Sequence, residues 1–317
     1  MSPRTALALL PTLLLVAAPT AEAFPNNLLL SCLPVGCPAA NLWTVVSVES
    51  GGDFTCVLFS SGNVDCYGDD AQGRSDDYLG GDAVAVAGGY YHKCILRATG
   101  NVECTGNNSY GQAVGYSGGD AVAVAAGEHH NCVARADGSA YCWGSGTNGE
   151  VGLRPGPGIV GVAAGGYHSC FLKTDGNVDC MGLNNDGQAN AYRGGDAVAI
   201  DAGATYTCIL RSNGNVLCQG FSPYGGATLP YNGGDAAAIT VGRDYTCVLR
   251  TNQEFVCHGI GGTLIDNYLP VLGISTAGYG ATYHTCWLRS DLTVYCVGDN
   301  LFGEGEPYYP VGSPRPI

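Results

Sequence analysis

Seven cysteine pairs set the limits on what this chain can fold into. Fourteen of its 16 cysteines fall into pairs ten positions apart. They are Cys56 and Cys66, Cys94 and Cys104, Cys132 and Cys142, Cys170 and Cys180, Cys208 and Cys218, Cys247 and Cys257, and Cys286 and Cys296. The first cysteine of each pair advances by 38 residues four times and then by 39 twice. A fixed period of this length marks one small supersecondary unit repeated along the chain.

Every unit has the same parts. An alternating segment such as Asp120–Ala125 comes first, then a glycine loop such as Gly165-Gly166-Tyr167. A second segment carries the first cysteine, as in His168–Leu172, and a turn such as Asp175-Gly176-Asn177 leads into Val178–Cys180. A polar turn such as Asn184–Gln188 closes the unit. Alternation over short segments bounded by turn residues reads as β-strand, and outside the first residues no helical period occurs. The 50 glycines follow no collagen period and suit many tight turns. One small antiparallel sheet repeated seven times predicts an all-β chain, a seven-bladed β-propeller with three- to four-stranded blades. A linear β-solenoid is the rival, but its repeats are usually shorter and lack an internal hairpin.

A hairpin centred on Ser61 sets Leu58 opposite Val64 and Cys56 opposite Cys66, all on one face of the blade. Directly opposed cysteines in an exported chain predict one hairpin disulfide per blade. Buried free thiols are the plainer alternative. A zinc site would need four converging ligands and usually a close cysteine pair, which the spacing does not offer. Cys32 and Cys37 remain and are expected to bridge within an N-terminal arm.

Residues 1–23 read as a secretory signal peptide: Arg4, the apolar run Thr5–Ala18, and Ala21-Glu22-Ala23 as cleavage site. Residues 24–42 form the arm and 43–317 the propeller, giving a secreted or periplasmic protein with no membrane span. A lipoprotein signal ending at Leu29-Leu30-Ser31-Cys32 is the rival reading, with Glu22, Asn26 and Asn27 interrupting it. The net charge is −14 with 13 basic residues, so a phosphate-neutralising groove for nucleic acid is unexpected, as is an anionic membrane partner.

The repeat resembles that of the regulator of chromosome condensation family. The resemblance rests on Ala164-Gly-Gly-Tyr-His168, on Asp137-Gly138 with Cys142-Trp-Gly144, and on Asn108-Ser-Tyr-Gly-Gln112. It covers roughly residues 44–303 and implies the propeller fold, while that fold hosts many functions. In period and leader the chain is similar to the β-lactamase inhibitor protein II group, secreted propellers that bind a partner enzyme through residues just before the repeated histidine. The resemblance carries that role to Asp53, Tyr91, His129, Tyr167, Thr205, Asp244 and Tyr283, with Tyr90 and Glu128 one position earlier in the same loops. The chain departs from that group in its cysteine pairs and in having no Trp at those positions. Tyrosine suits an interface because it offers contact area and a hydrogen bond at low entropic cost. Ordinary surface tyrosine is the plainer reading in a chain holding 19 of them.

His92, His130, His168 and His284 stand two residues before a cysteine, where other repeats have Phe54, Tyr206 and Tyr245. That exchange predicts packing, with the imidazole bonded to a neighbouring blade, rather than catalysis. Asp69-Asp70 and Asp76-Asp77 around Gly73, and the repeated Gly-Gly-Asp before strands, read as turn caps rather than a calcium site. No nucleophile elbow, phosphate loop or His-Glu-x-x-His motif is present. The expectation is therefore a monomeric, non-catalytic, protein-binding propeller without cofactor or metal, with enzyme inhibition as one form of that binding. A carbohydrate- or cell-wall-binding propeller is the alternative. A lyase or hydrolase acting at the central channel is the second alternative, and it would require perturbed acids or histidines clustered at the channel mouth.

Overall fold

The computed structural model describes residues 44–223, 225–227, 231–259, 264–266, 270–279 and 282–298. Residues 1–43 lie outside this set, and with them the signal peptide, the arm and the Cys32–Cys37 bridge.

The described residues form a seven-bladed β-propeller of consecutive antiparallel sheets. Blade 1 is β1 (Val45–Ser50), β2 (Phe54–Phe59) and β3 (Val64–Gly68); blade 2 is β4 (Ala83–Gly88), β5 (His92–Arg97) and β6 (Val102–Gly106). Blade 3 is β7 (Ala121–Ala126), β8 (His130–Arg135), β9 (Ala140–Gly144) and β10 (Gly152–Arg154). Blade 4 is β11 (Ile159–Ala164), β12 (His168–Lys173) and β13 (Val178–Gly182); blade 5 is β14 (Ala197–Ala202), β15 (Tyr206–Arg211) and β16 (Val216–Gly220). Blade 6 is β17 (Ala236–Val241), β18 (Tyr245–Arg250), β19 (Phe255–Gly259) and β20 (Leu264–Asp266); blade 7 is β21 (Val271–Tyr279), β22 (Thr282–Arg289) and β23 (Val294–Gly298). The first strand of every blade contributes to the wall of one central cavity, so these seven are the inner strands.

Each expected cysteine pair is directly opposed across its hairpin, with Cys56 against Cys66 and Leu58 against Val64 in blade 1. All seven pairs are disulfides, with Cα separations of 3.9 to 4.1 Å. The disulfide face of one blade packs on the opposite face of the next. Cys94, Leu96 and Val102 of blade 2 meet Ala121 and Val133 of blade 3 in one buried cluster. The core is thus divided into seven interblade clusters, a quasi-one-dimensional arrangement closed into a ring. The last cluster joins Val45, Val48, Val57 and Phe59 of blade 1 to Cys286, Leu288, Val294 and Cys296 of blade 7. The ring therefore closes by side-chain packing between blades built from consecutive strands, a point the sequence left open.

The histidines do what their exchange with aromatics predicted. His92 Nε2–H donates to Asn131 Oδ1 at 2.6 Å, His130 reaches Ser169 Oγ at 2.9 Å and His168 reaches Thr207 Oγ1 at 2.8 Å. Tyr206 takes the same place with Thr246 at 3.0 Å, and His284 closes the circle on Thr55 at 2.9 Å. The receiving side chain passes the bond on: Thr207 Oγ1–H donates to the carbonyl of Gln188 at 2.9 Å and Ser169 Oγ–H to that of Glu150 at 2.8 Å. Burial lowers the His92 and His168 rings to about 4 and His130 to about 3, so they are neutral.

One reading of the sequence needs correction. The Gly-Gly-Asp aspartates do not simply cap turns. Asp82, Asp120, Asp196 and Asp235 each accept a hydrogen bond from the tyrosine four residues earlier, Tyr78, Tyr116, Tyr192 and Tyr231. Each also pairs with the arginine fifteen residues later, Arg97, Arg135, Arg211 and Arg250, at 2.8 to 3.1 Å. The tyrosines bridge singly to the third strand of the preceding blade, as Tyr116 does to Val102, so each trio joins two blades. Gly118 lies under the Tyr116 ring, where a Cβ would stand 2.2 Å from the phenol oxygen.

Candidate functional site

The loops between inner and middle strands lie at one end of the ring. The loops after the third strands share that end, because third and middle strands are antiparallel and His92 sits opposite Gly106. Backbone bonds join the two loop sets: Asn107 N–H donates to Tyr91 O at 2.9 Å, Ser145 to His129 at 2.9 Å and Leu183 to Tyr167 at 2.8 Å. This end is the mouth face, and all nine residues carried over by the resemblance lie on it.

They do not form a uniform ring. Tyr91, His129 and the exposed Tyr110 converge between blades 2 and 3. The Tyr91 and His129 rings stack with centroids 5.2 Å apart, and Tyr110 tilts onto His129 at 4.9 Å. Glu128 Oε1 lies 3.6 Å from His129 Nε2. Burial lowers the His129 pKa and raises that of Glu128. Tyr283 leans on Tyr245 of blade 6 at 6.2 Å, and Tyr167 is held in the loop of blade 4. Asp53, Thr205 and Asp244 are engaged within the face. Asp53 pairs with Arg74 at 3.3 Å, Thr205 Oγ1–H donates to Phe221 O at 2.6 Å, and Asp244 lies 3.5 Å from both Arg243 and Ser222.

Tyr90 and Glu128 line the central cavity, which has a volume of about 220 Å³. Burial raises the Tyr90 phenol well above its ordinary value, with the Glu128 charge adding to it and Arg243 opposing. Deeper in the wall, the register aligns one residue per blade opposite the first cysteine: Glu49, Ala87, Ala125, Ala163, Asp201, Thr240 and Ser275. Sequence reasoning missed this ring. Its signal was present, because in the first six repeats the position falls seven residues before the first cysteine. Burial raises Glu49 to about 8, with Asp201 adding to the rise, and raises Asp201 to about 7.

The acidic turns of blade 1 serve the backbone: Asp69 Oδ1 accepts from Ala71 N–H at 2.9 Å and Asp77 Oδ1 from Cys66 N–H at 2.9 Å. Among the described residues no group of three or more His, Cys, Asp or Glu is placed to hold a metal ion, and no helix is long and apolar enough to cross a membrane.

The regulator of chromosome condensation (RCC1) repeat matches residues 45–74, 83–112, 121–150 and 159–188. The first four blades carry the RCC1 repeat. Each matched span runs from the start of an inner strand to the turn that ends in Arg74, Gln112, Glu150 or Gln188, all four side chains buried. Blades 5 to 7 keep the cysteine frame outside the matched spans. No curated protein matches the sequence. The fold is similar to the ectodomain of the receptor kinase CR4 from Physcomitrella patens, with TM-score 0.66 and 24% identity over 80% of this chain and 72% of that one. The ectodomain of the receptor kinase ACR4 from Arabidopsis thaliana gives 0.65 and 21% over 82% and 97%, and Prp20p from Saccharomyces cerevisiae gives 0.61 and 16% over 74% and 80%. At these identities the likeness is one of fold. The RCC1-like fold and its seven disulfides suit a protein-binding role in an oxidising compartment.

Proposed function

We propose that this RCC1-repeat propeller is an exported, monomeric, non-catalytic protein that binds a protein partner on its mouth face. One observation carries the reading: Tyr91, Tyr110 and His129 form a partly exposed aromatic cluster on loops braced by backbone bonds. Rigid aromatic anchors with a polar neighbour such as Glu128 have the character of interface hot spots. Relatives by fold support it, since Prp20p is described with binding properties toward Gsp1p and histones and two others are receptor ectodomains. Inhibition of an enzyme would follow where the partner is one. Of the nine loop residues, we assign direct contact to Tyr91, His129, Tyr167 and Tyr283. Asp53, Thr205 and Asp244 brace the loops, and Tyr90 and Glu128 border the channel.

The test is capture from culture supernatant by the mature, oxidised protein beside its Tyr91→Ala/Tyr110→Ala/His129→Ala variant. A protein retained by the first and lost by the second supports the reading. Equal retention refutes it, and release by free sugar would move a glycan to the front. Of the raised acids only Glu128 stands at the mouth, with Glu49 and Asp201 deeper in the wall, so the second alternative, a channel enzyme, is supported in part. Turnover of a glycoside or ester substrate that is lost in Glu49→Gln would establish that activity instead.

A further inference from the structure

The inner ring of the channel is unevenly equipped. In blades 5, 6 and 7 its side chains hold the next blade. Asp201 Oδ2 accepts from Val241 N–H at 2.6 Å, Thr240 Oγ1 from Thr276 N–H at 3.1 Å and Ser275 Oγ from Ser50 N–H at 2.8 Å. Blades 2 to 4 carry alanine there. Glu49 of blade 1 is the exception. It is partly buried against the cavity, it feels the charge of Asp201, and among the described residues it makes no hydrogen bond or ion pair. Its side chain lines the channel with no protein donor against it, so a cation there would be its charge partner.

The surrounding wall narrows the choice. It combines the two acids with the apolar surfaces of Val86 and Val124, in a space of about 220 Å³. That is far more than one water needs. Two carboxyls fall short of the six to eight oxygens that calcium takes. A small organic cation fits better, its charged head against the acids and its carbon stem along valine and alanine. We propose that the central channel is a binding site for an aliphatic amine, with Glu49 and Asp201 as its charge partners. This site is independent of the mouth-face reading, and either stands if the other fails.

The titratable groups beside the two acids are Tyr206, which feels the charge of Asp201, and Tyr90 and Glu128, which line the same cavity and feel the charge of Arg243. Arg243 is the fixed cation among them, paired with Asp244 at 3.5 Å and acting on the Glu128 charge. Because both acids hold protons up to about pH 7 to 8, amine binding releases protons and strengthens as pH rises through that range.

Calorimetry with n-pentylamine and cadaverine, beside 1-pentanol and calcium chloride, tests this on the mature oxidised protein. The amines are expected to bind, the alcohol and calcium are not, and Glu49→Gln is expected to weaken the amines about tenfold or more. A second variant, Ala125→Lys, places a cation at the same ring level and is expected to fold and abolish amine binding. No amine binding at about 10 mM, equal affinity in Glu49→Gln, equal binding of the alcohol, or binding of calcium alone would each overturn the proposal.

Discussion

Thr207 is the residue whose loss should reveal how the blades hold one another. Its hydroxyl accepts from His168 Nε2–H at 2.8 Å and donates to Gln188 O at 2.9 Å, all in a site closed to solvent. Thr207→Val keeps the shape and strands both groups. An unsatisfied buried donor or acceptor costs about 1–3 kcal/mol, so stranding two should cost about 2–6 kcal/mol. His168→Phe leaves the Thr207–Gln188 bond intact and places at this site the ring that Phe54 already supplies in blade 1, so about 1 kcal/mol is expected. In the double variant no imidazole is left stranded, and the sum of the single costs should exceed the measured cost by about 1–2 kcal/mol. Urea unfolding with the disulfides intact measures all three, provided the slope m is unchanged. A His168→Phe cost equal to that of Thr207→Val, or strict additivity, would refute the relay.

Further outcomes follow from the same structure. His92, His130 and His168, depressed to about 4, 3 and 4, bind protons only after unfolding, so below about pH 6.5 acid removes their stabilisation. Glu49 and Asp201, raised to about 8 and 7, hold protons between about pH 4 and those values only when folded, so their contribution declines from about pH 4 and is gone above about pH 8. The melting temperature should therefore peak near about pH 6.5, and Glu49→Gln should flatten the alkaline decline. Both sulfurs are buried in Cys132–Cys142, Cys247–Cys257 and Cys286–Cys296, whereas Cys66, Cys104, Cys180 and Cys218 are partly exposed, so dithiothreitol without denaturant should release labelled thiols first from the four pairs that contain these. Gly118→Ala should cost about 1–3 kcal/mol through overpacking against Tyr116, seen as a lower urea midpoint.

The cysteine period made blade number, strand pairing and disulfides legible, because each side chain's face follows from its distance to a cysteine in the same hairpin. The histidines were legible for a related reason, since exchange with Phe and Tyr is incompatible with a chemical role for the ring nitrogen. Beyond these histidine bonds, interactions between blades were not. The Tyr116–Asp120–Arg135 trio joins segments that nothing local distinguishes from a turn, so Asp120 read as a cap. Glu49 and Asp201 stood out only once seven registers were superposed. Tyr90 and Tyr91 are neighbours in sequence, yet one borders the channel and the other the aromatic cluster, because successive residues there point apart.

The mouth face has one structural competitor. At the opposite end the inner strands begin with exposed aliphatic residues, Val84, Val122, Val198 and Leu272. The decisive measurement is the affinity of a captured partner for three proteins: the wild type, the Tyr91→Ala/Tyr110→Ala/His129→Ala variant and a Val84→Thr/Val122→Thr/Val198→Thr variant. The account predicts a loss of about a hundredfold or more in the first variant, the effect of two hot spots or so, and little change in the second. Unchanged affinity in the first and a large loss in the second would place the partner at the other end of the ring and contradict it.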